Sequence, residues 1–242
     1  MSKKVGIIGG MGPYAGENYL TRFLVACTDR LKKSGGEVSD QRYPAHYLFQ
    51  QPVPDRTKAL IDGQDEYLRV FFELRAQLKA LEHLGVSAAA IACNTAHAWH
   101  ADLKDAAPQM NLLHIADVCA QHLESNSVER ACLMATAGTV RSGMYARALA
   151  SRGIECIEPD ANELSLLMAG IYDGVKADAM EVGRRHFIEA ANRMRRRTGV
   201  QDFLMACTEI PLALAQGDVA CDIYLHDPTS ISACRLAEIA LD

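Results

Sequence analysis

Short apolar runs alternate with longer stretches of helical period along this chain. The runs at 4–9, 44–50, 87–93, 111–115, 131–136, 154–158, 201–207 and 222–226 predict β-strands. The stretches between them are amphipathic. Within 64–84, Phe71, Leu74, Leu78 and Leu81 recur at helical spacing and mark one apolar face. Gly85 follows, placed to end that helix in a left-handed conformation. Strands separated by helices predict an α/β fold with parallel sheets.

The pattern then repeats. Lys4-Val5-Gly6-Ile7-Ile8-Gly9 runs into a Gly-rich turn, Gly10-Met11-Gly12, and Arg130-Ala131-Cys132-Leu133-Met134-Ala135 runs into Thr136-Ala137-Gly138-Thr139. Val86 begins a strand that reaches Ala92-Cys93-Asn94-Thr95, and Val200 one that reaches Ala206-Cys207-Thr208-Glu209. Each cysteine stands seven residues after its valine. Each half continues to a segment expected to be a strand ending in aspartate, His114-Ile115-Ala116-Asp117 and Leu225-His226-Asp227. This self-similarity predicts a duplicated unit. We expect two similar α/β lobes related by a pseudo-twofold, residues 1–117 with 225–242 forming the first and 118–224 the second. Open α/β sheets bind ligands beyond the carboxyl ends of their strands, so equivalent strand ends point to an active site in the interlobe cleft.

Composition narrows the class of protein. A chain of 242 residues with 49% hydrophobic and 23% charged residues has the balance of an ordinary folded protein. A net charge of −5 argues against a general nucleic-acid binder. The one basic run, Arg193 with Arg195, Arg196 and Arg197, precedes Gly199 and fits the last turn of a helix better than a binding patch. No apolar run is long enough to predict a membrane span. Val5 to Ile8 is too short for the core of a signal peptide, so the expected location is cytoplasmic. Eight cysteines in a long chain without such a signal predict free thiols rather than a disulfide framework. Neither C-x-x-C nor H-E-x-x-H occurs to support a metal.

Candidate chemistry gathers at the strand ends. Gly10-Met11-Gly12-Pro13-Tyr14-Ala15 fits the relaxed G-x-G-x-x-A pattern, but the second strand ends at Phe49-Gln50-Gln51 without the acid that a dinucleotide site wants. A turn offering backbone N–H groups around Met11 and Gly12 to a small carboxylate fits better, alongside a plain strand-to-helix turn. Cys93 and Cys207 stand where strands give way to helices, which predicts thiols made more acidic by unpaired N–H groups. Thr95 and Thr208 can cap those helices or donate to a ligand. Spacing alone leaves open that both cysteines are core residues. His97, four residues after Cys93, is weighed as a base for the thiol against a packed or solvent-facing histidine. Arg56 follows Pro52-Val53-Pro54-Asp55, and Lys176 follows Asp173-Gly174-Val175. One cation per lobe suits a dicarboxylate, solvated loop charges being the alternative.

GGMGP (9–13), ACNTAH (92–97), ATAGT (135–139) and ACTEIP (206–211), in this order, resemble the aspartate/glutamate racemase superfamily, and within it the aspartate racemase branch. The resemblance runs over essentially the whole chain. It implies two α/β lobes and an enzyme that needs no pyridoxal phosphate, metal or nucleotide. It implies that Cys93 and Cys207 are paired acid and base. It implies that Arg56 and Lys176 bind a substrate carboxylate, and that Asn94, Thr95 and Ala96 bind the carboxylate and amine region. Thr136, Gly138, Thr139 and Thr208 would line the cleft, and the protein would be a homodimer.

The expected activity is therefore a cofactor-independent amino-acid racemase interconverting L- and D-aspartate by a two-cysteine, two-base mechanism. Its partner is a small amino acid, expected to be a dicarboxylate, with no nucleic acid or membrane involved. The Asp-Ser pair usual in the glutamate branch is replaced here by Gly10-Met11-Gly12. A glutamate or broad-specificity racemase, a hydantoin racemase, a maleate-type isomerase, and a non-catalytic dicarboxylate-binding protein are the alternatives.

Overall fold

The computed structural model describes residues 2–35 and 37–242. By its contacts the chain divides into two units, residues 1–118 with 229–242, and residues 119–228. Each holds a four-stranded, all-parallel sheet.

The first unit contains β1 (Val5–Ile8), α1 (Pro13–Lys33), β2 (His46–Phe49), α2 (Arg56–Asp62), α3 (Gln64–His83), β3 (Ala88–Ile91), α4 (His100–Ala106) and β4 (Asn111–Leu112). Helix α5 (Ile115–Ser125) carries the chain into the second unit. The strands are ordered β2-β1-β3-β4, so β1 and β3 are interior and need apolar side chains on both faces. Their sequences, VGII and AAAI, are buried throughout. Helix α3 covers one face with Val70, Leu74, Leu78 and Leu81. Gly6 lets it approach, because a Cβ there would lie 2.6 Å from Leu81 Cδ1. Helix α1 starts with Pro13 in its first turn and buries Tyr19, Phe23, Cys27 and Leu31, spaced by four. Each such large apolar side chain contributes about 1.5–3 kcal/mol on burial.

The second unit contains β5 (Arg130–Ala135), α6 (Ala137–Ser142), α7 (Met144–Ala150), β6 (Glu155–Ile157), α8 (Ala161–Ala169), α9 (Met180–Thr198), β7 (Asp202–Ala206), α10 (Ile210–Ala213) and β8 (Tyr224–His226). The order β6-β5-β7-β8 repeats that of the first sheet. Helix α11 (Pro228–Leu241) returns the chain to the first unit. Asp160 and Glu163 form a capping box at the start of α8. Gly199, in a left-handed conformation, ends α9. The basic run closes that helix as expected, and its members are also paired: Arg193 with Glu189, Arg195 with Asp222, and Arg197 with Glu163.

All eight expected strands are present among the described residues, most trimmed by one or two residues at an end. Two expectations fail. Asp117 does not end a strand. The fourth strand stops at Leu112, and Asp117 lies in the first turn of α5. The return to the first unit comes at Thr229 rather than 225, because Leu225 and His226 pair with Phe203 and Leu204 in the second sheet.

Candidate active site

In the first unit the predicted residues sit past the carboxyl ends of β1, β2 and β3. Met11 is buried and packs in one apolar cluster with Ile91, Cys93 and Ala96. Cys93 stands two residues past β3. Asn94, Thr95 and Ala96 follow, all buried, and the chain makes a short 3-10 turn over Thr95–Trp99. Arg56 opens α2, yet its guanidinium points inward and the residue is only 8% exposed. It donates to the Val53 and Pro54 carbonyls at 3.0 Å each and to the Met11 carbonyl at 2.7 Å. Arg56 therefore ties the Gly12 loop to the turn after β2.

Gln50 braces the same loop and was not singled out as a site residue from the sequence. Its Oε1 accepts from the Gly10 N–H at 2.6 Å and its Nε2 donates to the Pro13 carbonyl at 2.8 Å. A Cβ on Gly9 or Gly16 would lie 2.3 Å from that Oε1, so a larger residue at either place would push the Gln50 amide off its bonds to Gly10 and Pro13.

His97 bonds through Nδ1 to the Cys93 carbonyl at 2.9 Å, a backbone contact that holds the turn. Burial, then the neighbouring His114 and His100, push its pKa well below the usual histidine value, so it is neutral. With Nδ1 as donor, Nε2 is the acceptor. The rings of His97 and His100 each lie edge-on to His114, at 5.5 and 4.7 Å. Among the described residues no group of three or more His, Cys, Asp or Glu side chains is arranged to hold a metal ion.

In the second unit Cys207 stands one residue past β7, and Thr136, Gly138 and Thr139 lie past the neighbouring β5. Thr136 caps α6, its Oγ1 accepting from the Thr139 N–H at 3.1 Å. The Thr208 hydroxyl donates to Glu209 Oε2 at 3.0 Å, and Cys207 Sγ donates to the same oxygen at 3.0 Å. Lys176 Nζ lies 4.0 Å from Glu209 Oε1 and 4.6 Å over the Tyr172 ring. The structure thus brings Cys207, Thr208 and Lys176 together through a buried carboxylate. Sequence spacing shows only that Glu209 is two residues on, not that its side chain turns back.

The turn carrying Lys176 is unusual. Helix α8 ends in a π-turn over Gly170–Gly174, a geometry frequent at functional sites. It packs on α9 so closely that a Cβ on Gly174 would lie 2.5 Å from Gly183 Cα.

Cys207 corrects one expectation. Only a five-residue 3-10 turn follows Cys93, and only the four-residue α10 follows Cys207. Burial first, then Glu209, pushes the Cys207 thiol well above its usual value, the opposite of the predicted acidification; Lys176 and the Glu209 backbone N–H oppose that shift. Elsewhere burial pushes the buried Cys27 and the half-buried Cys156 up to about 12, as for unreactive thiols.

Fold and strand-end chemistry define a duplicated α/β protein with one buried cysteine at the carboxyl end of an equivalent interior strand in each sheet. The chain belongs to the Asp/Glu/Hydantoin racemase family, whose model matches residues 8–235. The broad specificity amino-acid racemase RacX of Bacillus subtilis is 27% identical over 156 residues, 64% of this chain and 64% of that protein; the match thus spans under two thirds of this curated relative. The aspartate racemase structure from Picrophilus torridus is 26% identical with a TM-score of 0.79, covering 98% of this chain and 94% of that one. A glutamate racemase isoform from Bacillus anthracis shares the fold at 15% identity and a TM-score of 0.68, covering 100% of this chain and 84% of that one. Among the described residues no helix is long and apolar enough to cross a membrane.

Proposed function

We propose that the protein is a cofactor-independent amino-acid racemase with aspartate as its preferred substrate. The observation that carries this reading is the pair Cys93 and Cys207, buried at equivalent strand ends of two sheets with the same strand order. Racemisation removes the Cα proton from one face and returns one to the other. Two thiols acting on opposite faces avoid moving a single base around the carbanion. One is a thiolate and abstracts; the other is a thiol and donates; the reverse direction exchanges the roles.

The Cα–H of a free amino acid is a very weak acid, so charge developing on the α-carboxylate must be stabilised. The turn at Gly12, the Asn94-Thr95 segment, and the Thr136–Thr139 turn offer backbone and hydroxyl donors, each typically worth about 3 kcal/mol at such a position. Arg56 and Lys176 supply positive charge for a distal carboxylate. The likeness to an aspartate racemase supports aspartate, and the likeness to a broad-specificity racemase keeps other amino acids as the second reading. A homodimer and a cytoplasmic location remain part of this proposal.

The test is proton NMR of L- and D-aspartate with the protein in D₂O and no added cofactor, followed by chiral analysis. Loss of the Cα–H signal from both enantiomers with interconversion supports the reading. Exchange with other amino acids but not aspartate moves the substrate. No exchange with any amino acid removes the activity. Cys93→Ala and Cys207→Ala should each abolish interconversion, and normal turnover by either variant excludes the two-base mechanism.

A further inference from the structure

We propose that Glu209 is a positioning residue that holds Cys207 as a thiol with its proton ready for donation, and that Lys176 limits the strength of that hold. The inference rests on the reading of Cys207 as one of the two reacting thiols.

The geometry is specific. Glu209 is 4% exposed, so its charge acts where solvent screens it weakly. Its Oε2 accepts two hydrogen bonds at 3.0 Å, from Cys207 Sγ and Thr208 Oγ1. With Glu209 ionised, its oxygen can only accept, so the proton of the Sγ–Oε2 bond is carried by sulfur. The other carboxylate oxygen faces Lys176 Nζ at 4.0 Å. Lys176 is itself fixed over Tyr172, on the turn that follows the π-segment. Glu209 and Lys176 are the charged groups that act on Cys207 among the described residues, and they act in opposite directions.

The consequence for the reaction is an asymmetric resting enzyme. Cys207 begins as the acid, so Cys93 begins as the base. In the first direction the Cys93 thiolate takes the Cα proton and becomes a thiol. The Cys207 S–H bond breaks, its proton forms the new Cα–H bond on the opposite face, and the electron pair stays on sulfur. The new thiolate then lies beside the Glu209 carboxylate. That repulsion makes it a strong base for the reverse direction, or for recovering a proton from water. Without Lys176 the repulsion would be larger and donation harder.

The experiment is alkylation of the substrate-free full chain by iodoacetamide across pH, with each cysteine peptide quantified by mass spectrometry. Iodoacetamide reacts with the thiolate, so the rate at Cys207 reads its ionised fraction. Wild type should react at Cys207 only toward alkaline pH. Glu209→Gln, nearly the same shape without the charge, should raise that rate at pH 7.5 by at least about tenfold. Lys176→Met should lower it. Circular dichroism confirms folding, and Glu209→Asp, which keeps the charge with a shorter reach, should give a smaller rise and serves if the Gln variant does not fold. An unchanged Cys207 profile in Glu209→Gln, or shifts of the same sign in the Glu209 and Lys176 variants, would overturn the proposal. If Cys207 is unshifted while wild type racemises aspartate, the hold fails and the two-base reading stands. If the opposite shifts appear in a protein that exchanges no amino-acid proton, the coupling stands and its catalytic use fails.

Discussion

Gly174→Ala should destabilise the second unit and disturb Lys176 together. The added Cβ would lie 2.5 Å from Gly183 Cα and 2.6 Å from Gly183 N, whereas ordinary contact begins at 3.4 Å, so the helices must separate by about 0.9 Å. The obstructing atoms are backbone and cannot rotate away. Helix α9 is held in turn by Phe187, Ala190, Ala191 and Met194 in the unit's core. Overpacking of this kind costs about 1–3 kcal/mol. Replacing glycine by alanine also restricts the unfolded chain, which returns only about 0.4–1 kcal/mol, so the net effect is loss. Urea denaturation followed by circular dichroism measures it. Gly217→Ala is the control, because nothing lies within 4 Å of a Cβ there; it should stay within about 0.5 kcal/mol of wild type. Lys176 is two residues past Gly174, so the same variant should raise KM for aspartate. A Gly174→Ala protein as stable as the Gly217→Ala control, with unchanged KM, would refute both the close packing and its role in placing Lys176.

Glu163 is 1% exposed and accepts from Arg197 at 2.9 and 2.6 Å and from the Asp160 N–H at 2.8 Å. Glu163→Ala should cost about 2–3 kcal/mol, allowing for the part of Arg197 that water can reach, and a loss below about 1 kcal/mol in urea denaturation would contradict that. His97 is held neutral in the folded protein by burial and by His114 and His100. Its folded pKa lies below the unfolded value, so the stabilisation is full above about pH 6.5 and declines as pH falls toward the folded pKa, by up to about 1.4 kcal/mol per pH unit. Stability measured from pH 7.5 to 5 should fall, and His97→Phe should flatten the slope; an equally steep variant would assign the loss elsewhere. Arg56→Ala should raise KM for aspartate far more than for alanine, whereas equal losses on both would leave Arg56 with only the loop contacts to Met11, Val53 and Pro54.

The strands were legible because each interior strand must be apolar on both faces, which writes short runs such as VGII and DFLMA into the sequence. The two cysteines were legible because duplication put them at matching distances from matching valines. The segment ending at Asp117 misled because it matched in composition but lies in a helix. The thiol environment misled for a different reason. Strand-to-helix spacing says where backbone N–H groups lie, but the direction of the Cys207 shift is set by burial and by a side chain folding back two residues. Gln50 reaches a loop 40 residues earlier, and no local pattern encodes such a contact. The π-turn likewise leaves no periodic signal; only its glycines, pressed against α9, mark it.

The chain leaves the first unit at Val118 and rejoins it at Thr229, and α11 then fills a place beside α1 and β1. Ala233, Leu236, Ala237 and Ala240 pack in one cluster with Val5, Ile7 and Phe23, and Ser232 bonds Tyr19 at 2.8 Å. During synthesis the first unit's sheet therefore waits for α11, which is made only after residues 119–228 are complete. Domains made on the ribosome generally fold from the amino terminus onward. Here the later-encoded unit has all its segments while Val5 and Ile7 still lack their final cover, so an apolar seam stays open on the nascent chain until α11 emerges.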